Sequence, residues 1–181
     1  MPVITLLTDF GTHDAYVAIM KGVILRINPR ATIVDITHWI DSQDVHQAAY
    51  AIASSYRYFP SETVHIVVVD PGVGSRRAVV ALGLEGQTFL APDNGVLSPF
   101  LENQPIEKIV KVENTEFFLK PVSRTFHGRD VFAPVGAHLS LGLPLDRLGA
   151  SIESDALVRL DLVQARLEKD GRISGTVIDV D

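Results

Sequence analysis

The chain has no cysteine among its 181 residues. Disulfides, thiolate zinc sites, iron–sulfur clusters and cysteine nucleophiles are therefore excluded. No uncharged apolar run approaches the roughly 18 residues of a membrane span, and the apolar stretch at the amino terminus meets Asp9 too soon for a secretory signal. Basic residues number 16 against 22 acidic ones, a formal net charge of -6 that disfavours contact with nucleic acid or an anionic membrane. These features predict a cytoplasmic protein with little or no metal and a small-molecule ligand.

What the sequence does contain is a series of alternating strand and helix signals. Short apolar runs predict buried strands at residues 3–8, 32–36, 65–69, 79–84, 88–91 and 106–112. Apolar residues at helical spacing predict helices at 14–28, 44–58 and 129–141, the first capped by Thr12 and the second near Ser42. This order predicts an α/β fold, with a mainly parallel sheet and helices on both of its faces.

The pattern changes near residue 150. Residues 157–167 and 172–180 alternate between apolar and polar side chains, as exposed strands do, and the Lys169-Asp170-Gly171 segment between them is typical of a turn. A hairpin of this kind is marginally stable by itself. The sequence therefore predicts an amino-terminal α/β domain at 1–155, followed at 156–181 by a linker and the first strands of a truncated β domain.

Polar clusters lie where ligands bind in parallel sheets, at the carboxyl ends of strands. They span residues 8–12, 70–77 and 92–95, and a fourth at 125–130 precedes a predicted helix. Each has a structural interpretation, since Asp9 and Asp70 could cap loops and His127 could be an ordinary buried histidine. The remaining histidines share no metal-ligand spacing and are interpreted as structural: His13, His38, His46, His65 and His138.

Together, the clusters favour one chemistry. An aspartate, an arginine and a histidine can hold and activate a water without a metal ion. The arginine charge favours hydroxide, the aspartate balances and aims the arginine, and the histidine takes or relays a proton. A carboxylate after the first strand can also accept both hydroxyls of a ribose. The residues alone thus predict a nucleoside-type ligand and a water-activating site.

Five segments resemble a known family. They are TDFGT at 8–12, VDIT at 34–37, VVDPGVGSRR at 68–77, APDNG at 91–95 and TFHGRD at 125–130. In this order they are similar to segments of the S-adenosylmethionine hydrolases, adenosine-forming enzymes also called hydroxide adenosyltransferases, which are relatives of the fluorinase and chlorinase. The resemblance implies that S-adenosylmethionine and water are converted to adenosine and L-methionine by substitution at the ribose C5′, without a metal or other cofactor.

The resemblance also implies roles for individual residues. Asp9 is expected to hold the ribose hydroxyls, Asn94 to lie at the nucleoside and Tyr16 at the methionine part. Asp70 and His127 are expected to form a water-activating triad with an arginine. Counting back from the Arg-Arg-Ala end of the motif selects Arg76, whereas counting forward from Asp70 selects Arg77; we predict Arg76.

Two departures from the fluorinase favour water over halide as the nucleophile. Gly128 stands where the fluorinase carries a halide-contacting serine, and the long insertion before the APDNG-type motif is missing. A third departure is the length. The family has a carboxyl-terminal β-barrel domain, of which Asp181 matches a substrate-binding aspartate, and its substrate lies between neighbouring subunits of a homotrimer.

Three alternatives to the hydrolase remain at this point. The first is a halide adenosyltransferase that uses chloride. The second is a truncated module that holds a nucleoside or assembles without catalysis. The weakest is a metal-dependent phosphohydrolase built on Asp9, Asp70, Asp93 and His127.

Overall fold

The computed structural model describes residues 2–102, 104–161, 165–175 and 177. Its main element is a six-stranded sheet in the order β2-β1-β3-β5-β4-β6. The strands are β1 Val3–Thr8, β2 Thr32–Thr37, β3 Val64–Val68, β4 Val79–Leu84, β5 Gln87–Pro92 and β6 Ile106–Lys111. The α-helices are α1 Tyr16–Ile27, α2 Val45–Ser55 and α3 Ala133–Ser140.

The sheet confirms the predicted α/β class. β1 pairs in parallel with β2 and β3, and β3 pairs in parallel with β5, whereas β4 runs antiparallel to both of its neighbours. Alternate residues of the strands point to opposite faces, so Leu6 and Ile66 pack under α1 and α3 while Leu7 and Val67 pack under α2. Helices therefore cover both faces, and the carboxyl ends of β1 and β3 lie side by side.

The helix starts differ from the predictions. α1 begins after Ala15, which makes no side-chain capping bond, so Thr12 is not its cap. α2 is capped by Asp44 and not by Ser42: the Asp44 side chain accepts a hydrogen bond from the Gln47 backbone N–H. A carboxylate placed three residues before a free amide is as good a cap as a serine.

The third predicted helix is two elements. It opens as a π-helical turn, Gly128–Phe132, before α3 begins. Pro134 has no N–H to give to the Asp130 carbonyl one turn earlier. That carbonyl instead accepts the N–H of Leu119 at 2.8 Å. His127 immediately precedes this widened turn.

Residues 157–161 do not form the beginning of the strand predicted for 157–167; among the described residues of that range, only Arg166–Leu167 is a strand. Leu157 is buried and packs with Leu160 on the α2 face of the core. The backbone N–H groups of Val158 and Leu160 donate to the side chains of Asp93 and Ser98, at 2.9 and 2.8 Å. These are side-chain contacts that an apolar alternation cannot reveal.

A small antiparallel sheet follows, consistent with the predicted start of a β domain. Its strands are β7 Arg166–Leu167 and β8 Ile173–Ser174. The predicted turn between them is confirmed, with Gly171 at φ 84° and its N–H donating to the Glu168 carbonyl. The rest of the predicted 172–180 strand and Asp181 lie outside the described residues, apart from residues 175 and 177. Among the helices described, none is both long and apolar enough to cross a membrane.

Candidate active site

A cavity of about 310 Å³ opens at the carboxyl ends of β1 and β3, as the positions of the polar clusters predict. Four of the predicted site residues line this cavity: Asp9, Asp70, His127 and Tyr16. The other lining residues are Phe10, Ser42, Gln43, Val68, Val73, Thr125 and Gly128. The cavity therefore joins residues from four separate stretches of the chain.

Asp70 and Arg77 form a two-pronged ion pair beside this cavity. Arg77 Nε donates to Asp70 Oδ1 at 2.7 Å, and Arg77 Nη2 donates to the other carboxylate oxygen. Both side chains are largely buried, with exposed fractions of 4% for Asp70 and 10% for Arg77. A bidentate pair of this kind fixes the guanidinium plane, so that the remaining N–H groups have a defined direction.

His127 lies at the end of this pair. Arg77 Nη2 is 3.3 Å from His127 Nδ1, which accepts from the guanidinium because an arginine can only donate. Burial lowers the pKa of His127, and the Arg77 charge lowers it further, against the opposing effect of Asp70. The imidazole is thus held neutral near neutral pH, the state in which a histidine can accept a proton.

The predicted choice of Arg76 is wrong for this contact. Arg76 is exposed, whereas its neighbour Arg77 turns inward to Asp70. Consecutive turns, closed by the Val73 N–H to the Asp70 carbonyl and the Ser75 N–H to the Gly72 carbonyl, set which of the two points inward. Counting residues takes no account of these turns; the count forward from Asp70 gives Arg77, the arginine that turns inward.

A close backbone approach brings the two loops of the triad together. Gly74 has φ 75°, and a Cβ built on it would lie 2.3 Å from the Arg124 carbonyl oxygen. Only a glycine allows this conformation and this separation at once. Gly74 therefore lets the loop that carries Asp70 and Arg77 lie directly against the loop that carries His127.

The His127 loop also has an anchor that sequence reasoning missed. Asp130, fully buried, accepts from the Ser123 N–H at 2.8 Å and from Arg129 Nε at 2.6 Å. Those hydrogen bonds lower the pKa of Asp130 and outweigh the cost of burying it. The signal was present in the TFHGRD segment, where an arginine and an aspartate follow the histidine.

The remaining predicted residues divide into two groups. Asp9 lines the cavity, with Oδ2 accepting the Gln43 N–H at 2.9 Å, and Tyr16 lines it with 47% of its surface exposed. Asn94 is outside the cavity wall, because its amide donates to the Val69 carbonyl and accepts the Val96 N–H. Its place is therefore behind the β3 end, where it shapes the loop.

The other histidines have structural surroundings where they are buried. His65 lies between Thr5 and Gln87, and burial lowers its pKa to about 4. His38 contacts the Thr8 hydroxyl at 2.9 Å and lies 3.0 Å from Asp35 Oδ1. In the part of the chain that the structure describes, no three His, Asp or Glu side chains converge as metal ligands would.

Comparison with known proteins connects this geometry to a family. Residues 4–149 match the model of the SAM hydroxide adenosyltransferase N-terminal domain. A Salinispora tropica protein named (R)-S-adenosyl-L-methionine hydrolase is 39% identical over 181 residues, covering 99% of this chain and 69% of that protein. A protein of Actinoplanes sp. named Fluorinase is 30% identical over 203 residues, covering 99% of this chain and 68% of that protein.

A solved structure agrees with these sequence matches. The crystal structure of an uncharacterized conserved protein from Thermotoga maritima superimposes with a TM-score of 0.87 and 43% identity. The match covers 92% of this chain and 64% of that one. The chain thus spans about two thirds of the length of the proteins that it matches.

Proposed function

The chain belongs to the SAM hydroxide adenosyltransferase family, and from that premise we propose that it hydrolyses S-adenosyl-L-methionine to adenosine and L-methionine. The name of the Salinispora relative directs the proposal to the (R)-sulfonium diastereomer. The observation that carries the proposal is the Asp70–Arg77–His127 arrangement, in which Asp70 and His127 line the cavity and Arg77 joins them from beside it. It unites a fixed cation with a neutral base, which is what activation of water requires.

The proposed step is a single displacement. The water oxygen attacks the ribose C5′, the C5′–S bond breaks, and its electron pair stays on sulfur as a neutral thioether. One water proton passes to His127 and from there to solvent, so the balance is S-adenosylmethionine plus water giving adenosine, methionine and a proton. The leaving group needs no acid. The barrier therefore depends on placing the nucleophile and on stripping part of its hydration.

Each triad member has a defined part in this step. The Arg77 charge stabilises the hydroxide character that develops on the water. Asp70 holds the guanidinium in its plane through two hydrogen bonds. His127 is kept neutral by its lowered pKa and takes the proton at Nδ1, the ring nitrogen with a free lone pair, in exchange for the hydrogen bond that Arg77 donates to it. We assign no resident metal or cofactor to the reaction.

Residues outside the triad are assigned to substrate binding. Asp9 uses one carboxylate oxygen for the Gln43 N–H, and we assign its other oxygen to the ribose hydroxyls. Tyr16 is assigned to the methionine side of the cavity, and Asn94 supports the nucleoside side through the β3 loop. Replacing Asp9 with asparagine should raise KM more than it changes kcat, because it removes a contact present before the reaction.

The first test is adenosine formation by the purified protein. The (R) and (S) diastereomers of S-adenosylmethionine would be incubated separately at about neutral pH, with and without a chelator, and the products followed by chromatography. Asp70→Asn, Arg77→Gln and His127→Gln should each lower the rate by about 100-fold or more. The matched control is Arg76→Gln, which removes an adjacent, exposed arginine and should keep the rate.

The outcomes separate the proposal from its rivals. The proposal is supported if adenosine forms from the (R) diastereomer, if a chelator does not change its rate of formation, and if the three triad variants do not form it. Nucleoside binding without any adenosine would favour a non-catalytic module. Loss of activity in Arg76→Gln but not in Arg77→Gln would contradict the assignment of the triad, and abolition by chelator would favour a metal-dependent phosphohydrolase.

Halide transfer is the second candidate, since proteins named Fluorinase are among the relatives. The surroundings of Gly128 argue against it. A Cβ at this position would lie 3.1 Å from Met20 Sδ and 3.3 Å from ring atoms of Phe10 and Phe126, so the site has little room for a halide-binding serine. With excess chloride in the assay we expect adenosine as the product; a 5′-chloro nucleoside would favour the halide enzyme.

Assembly and location stay proposals as well. We propose a homotrimer, as the resemblance implies, in which a neighbouring subunit closes the cavity over the small-molecule substrate. Sedimentation equilibrium would give a mass three times that of the chain if this is right, and the mass of one chain if it is wrong. The expected cytoplasmic location is tested by fractionating cells that produce the protein.

A further inference from the structure

Three aromatic rings form a contiguous cluster, and two of them line the cavity. Phe10 and Tyr16 have ring centroids 5.8 Å apart, and Phe126 lies 6.0 Å from the first and 5.0 Å from the second. We call this group the aromatic wall. Phe10 and Tyr16 line the cavity itself, whereas Phe126 contacts both rings and is not among the lining residues.

Packing alone does not account for the aromatic wall. Phe10 and Phe126 pack against the α1 and α3 side of the core, but Tyr16 leaves 47% of its surface exposed. A ring recruited only to fill the core would be covered. The exposed ring surface instead adjoins the cavity that also contains Asp9 and His127.

The electrostatics of the cavity select the charge of its occupant. Of the described residues that line it, two are aspartates and none is a lysine or an arginine. The Asp70 charge is compensated by Arg77, whereas Asp9 accepts only a backbone N–H. One uncompensated negative charge and two aromatic rings thus line the same space, which favours a compact cation.

The arginine that contacts the aromatic wall does not cancel this preference. The Arg129 guanidinium lies over Phe126, 5.3 Å from the ring centroid. It is paired with Asp130 through two hydrogen bonds, at 2.6 and 3.0 Å, so its charge is compensated. It also contacts Phe126, the ring that is not among those lining the cavity, and leaves Phe10 and Tyr16 to the ligand.

We propose that the aromatic wall recognises the sulfonium centre of the substrate by cation–π attraction and rejects the corresponding neutral thioether. This inference rests on the proposed function and deepens it by assigning residues to the charged atom of the substrate. A sulfonium suits the wall because it is a cation with apolar substituents and little hydration to lose. A thioether of similar shape would gain only the apolar contact.

The reaction itself gives this selectivity a consequence. The sulfonium charge disappears as the C5′–S bond breaks, so the attraction to the rings is stronger for the substrate than for the transition state or for methionine. The wall therefore lowers KM and promotes release of the thioether product, without accelerating the chemical step. Loss of a ring should raise KM and leave kcat equal or higher.

The test compares two ligands that differ at sulfur. Dissociation constants of (R)-S-adenosyl-L-methionine and of neutral S-adenosyl-L-homocysteine would be measured by calorimetry, in a His127→Gln background that prevents turnover. We expect the sulfonium to bind about tenfold more tightly at about 0.15 M salt. Tyr16→Leu and Phe10→Leu should each reduce this preference by about threefold or more, because leucine keeps apolar contact but has no π face.

Matched controls separate ring chemistry from a structural effect. Tyr16→Phe keeps the π face and should keep the preference. Tyr58→Leu changes a side chain that is 88% exposed and not part of the cavity wall, and should also keep it. The melting temperature of each variant identifies any that has lost its fold, and the exposed position of Tyr16 makes Tyr16→Leu the deciding variant.

The measurements distinguish a failure of this inference from a failure of the proposed function. If the sulfonium and the thioether bind equally, or if Tyr16→Leu and Phe10→Leu keep the full preference, the aromatic wall does not recognise the sulfonium charge. In that case adenosine still binds and the unmodified chain still forms it from the substrate. If neither adenosine nor the sulfonium binds at millimolar concentration, the proposed function falls and this inference falls with it.

Discussion

Arg77 links the other two members of the triad at the scale of single residues. Its guanidinium is fixed by Asp70 on one side and donates to His127 Nδ1 on the other. The same positive charge that would stabilise hydroxide also adds to the effect of burial in lowering the pKa of His127, the proposed proton acceptor. His127 therefore stays uncharged and available as a base beside the positively charged Arg77.

This coupling predicts the acidic limb of the pH profile. His127 must be neutral to accept a proton, and burial together with Arg77 lowers its pKa. Activity should thus fall, as the pH is lowered, with a midpoint below the ordinary histidine value of about 6.5. The measurement is kcat/KM for adenosine formation from about pH 5 to pH 8, beside an NMR titration of His127. A shared midpoint at or above about 6.5 would contradict the account.

A second residue-scale prediction concerns His65 in β3. Burial lowers its pKa to about 4, so the folded state favours the neutral ring. As the pH falls below about 6.5, the unfolded chain takes up the proton first, and stability declines until about pH 4, where the folded state takes it up as well. The expected contribution is about 3 kcal/mol of unfolding free energy lost across that window.

Urea unfolding of the wild type and of His65→Gln at about pH 7 and about pH 4 measures this contribution. Other groups titrate in the same window, so the informative quantity is the difference between the two proteins. The variant should lose less stability than the wild type on acidification, because glutamine does not titrate. Equal losses would mean that His65 is accessible to protons in the folded state.

At the scale of elements, the loop after β3 must touch the loop before α3 if the triad is to form. Gly74 makes this contact, with a positive φ and no room for a side chain against the Arg124 carbonyl. Neither loop is a helix or a strand, so the approach depends on one residue type at one position.

Gly74→Ala should therefore disrupt the site. We expect a loss of about 1–3 kcal/mol of stability from strain and overpacking, and a larger loss of activity as Arg77 and His127 separate. The control is Gly22→Ala in α1, where a Cβ meets nothing within 4 Å. That variant should gain up to about 1 kcal/mol from helix propensity. Chemical denaturation and adenosine formation measure both effects; a fully active Gly74→Ala would contradict this role.

At the scale of the whole molecule, residues 151–160 are part of the folded body. Leu157 is 6% exposed on the α2 side of the core, and Val158 donates to Asp93 in the neighbouring loop. Leu157→Ala should cost about 2–5 kcal/mol, the usual range for a buried leucine. The exposed neighbour Val158→Ala is the control and should change stability little. Equal midpoints of thermal unfolding would show that the segment docks only loosely.

The sequence predicted the sheet better than the segments that join it. Continuous apolar runs such as 65–69 have one stable solution, a strand covered on both faces, and the structure confirms it within a residue. The inward turn of Arg77 depends on two loop hydrogen bonds, and at Val158 and Leu160 the beginning of the predicted strand is replaced by backbone bonds to the side chains of Asp93 and Ser98. Such contacts join residues distant in sequence and leave no periodic signal.

The candidate site was predictable to a similar degree. The parallel order of β1 and β3 placed Asp9 and Asp70 at one edge, and His127 joined them as the TFHGRD segment implied. Asn94 does not line the cavity, because its side-chain amide is hydrogen-bonded to the backbone. The aromatic wall went unnoticed because Phe10, Tyr16 and Phe126 belong to separate segments that only the fold brings together.

The central claim is that water attacks the ribose C5′ of the bound sulfonium. The measurement that tests it most directly is hydrolysis of (R)-S-adenosyl-L-methionine in water labelled with heavy oxygen (¹⁸O), with both products analysed by mass spectrometry. The account predicts one labelled oxygen in the 5′-hydroxyl of adenosine and unlabelled methionine. Label in a fragment of the methionine chain, or release of adenine with labelled ribose, would place the attack at another carbon and contradict it.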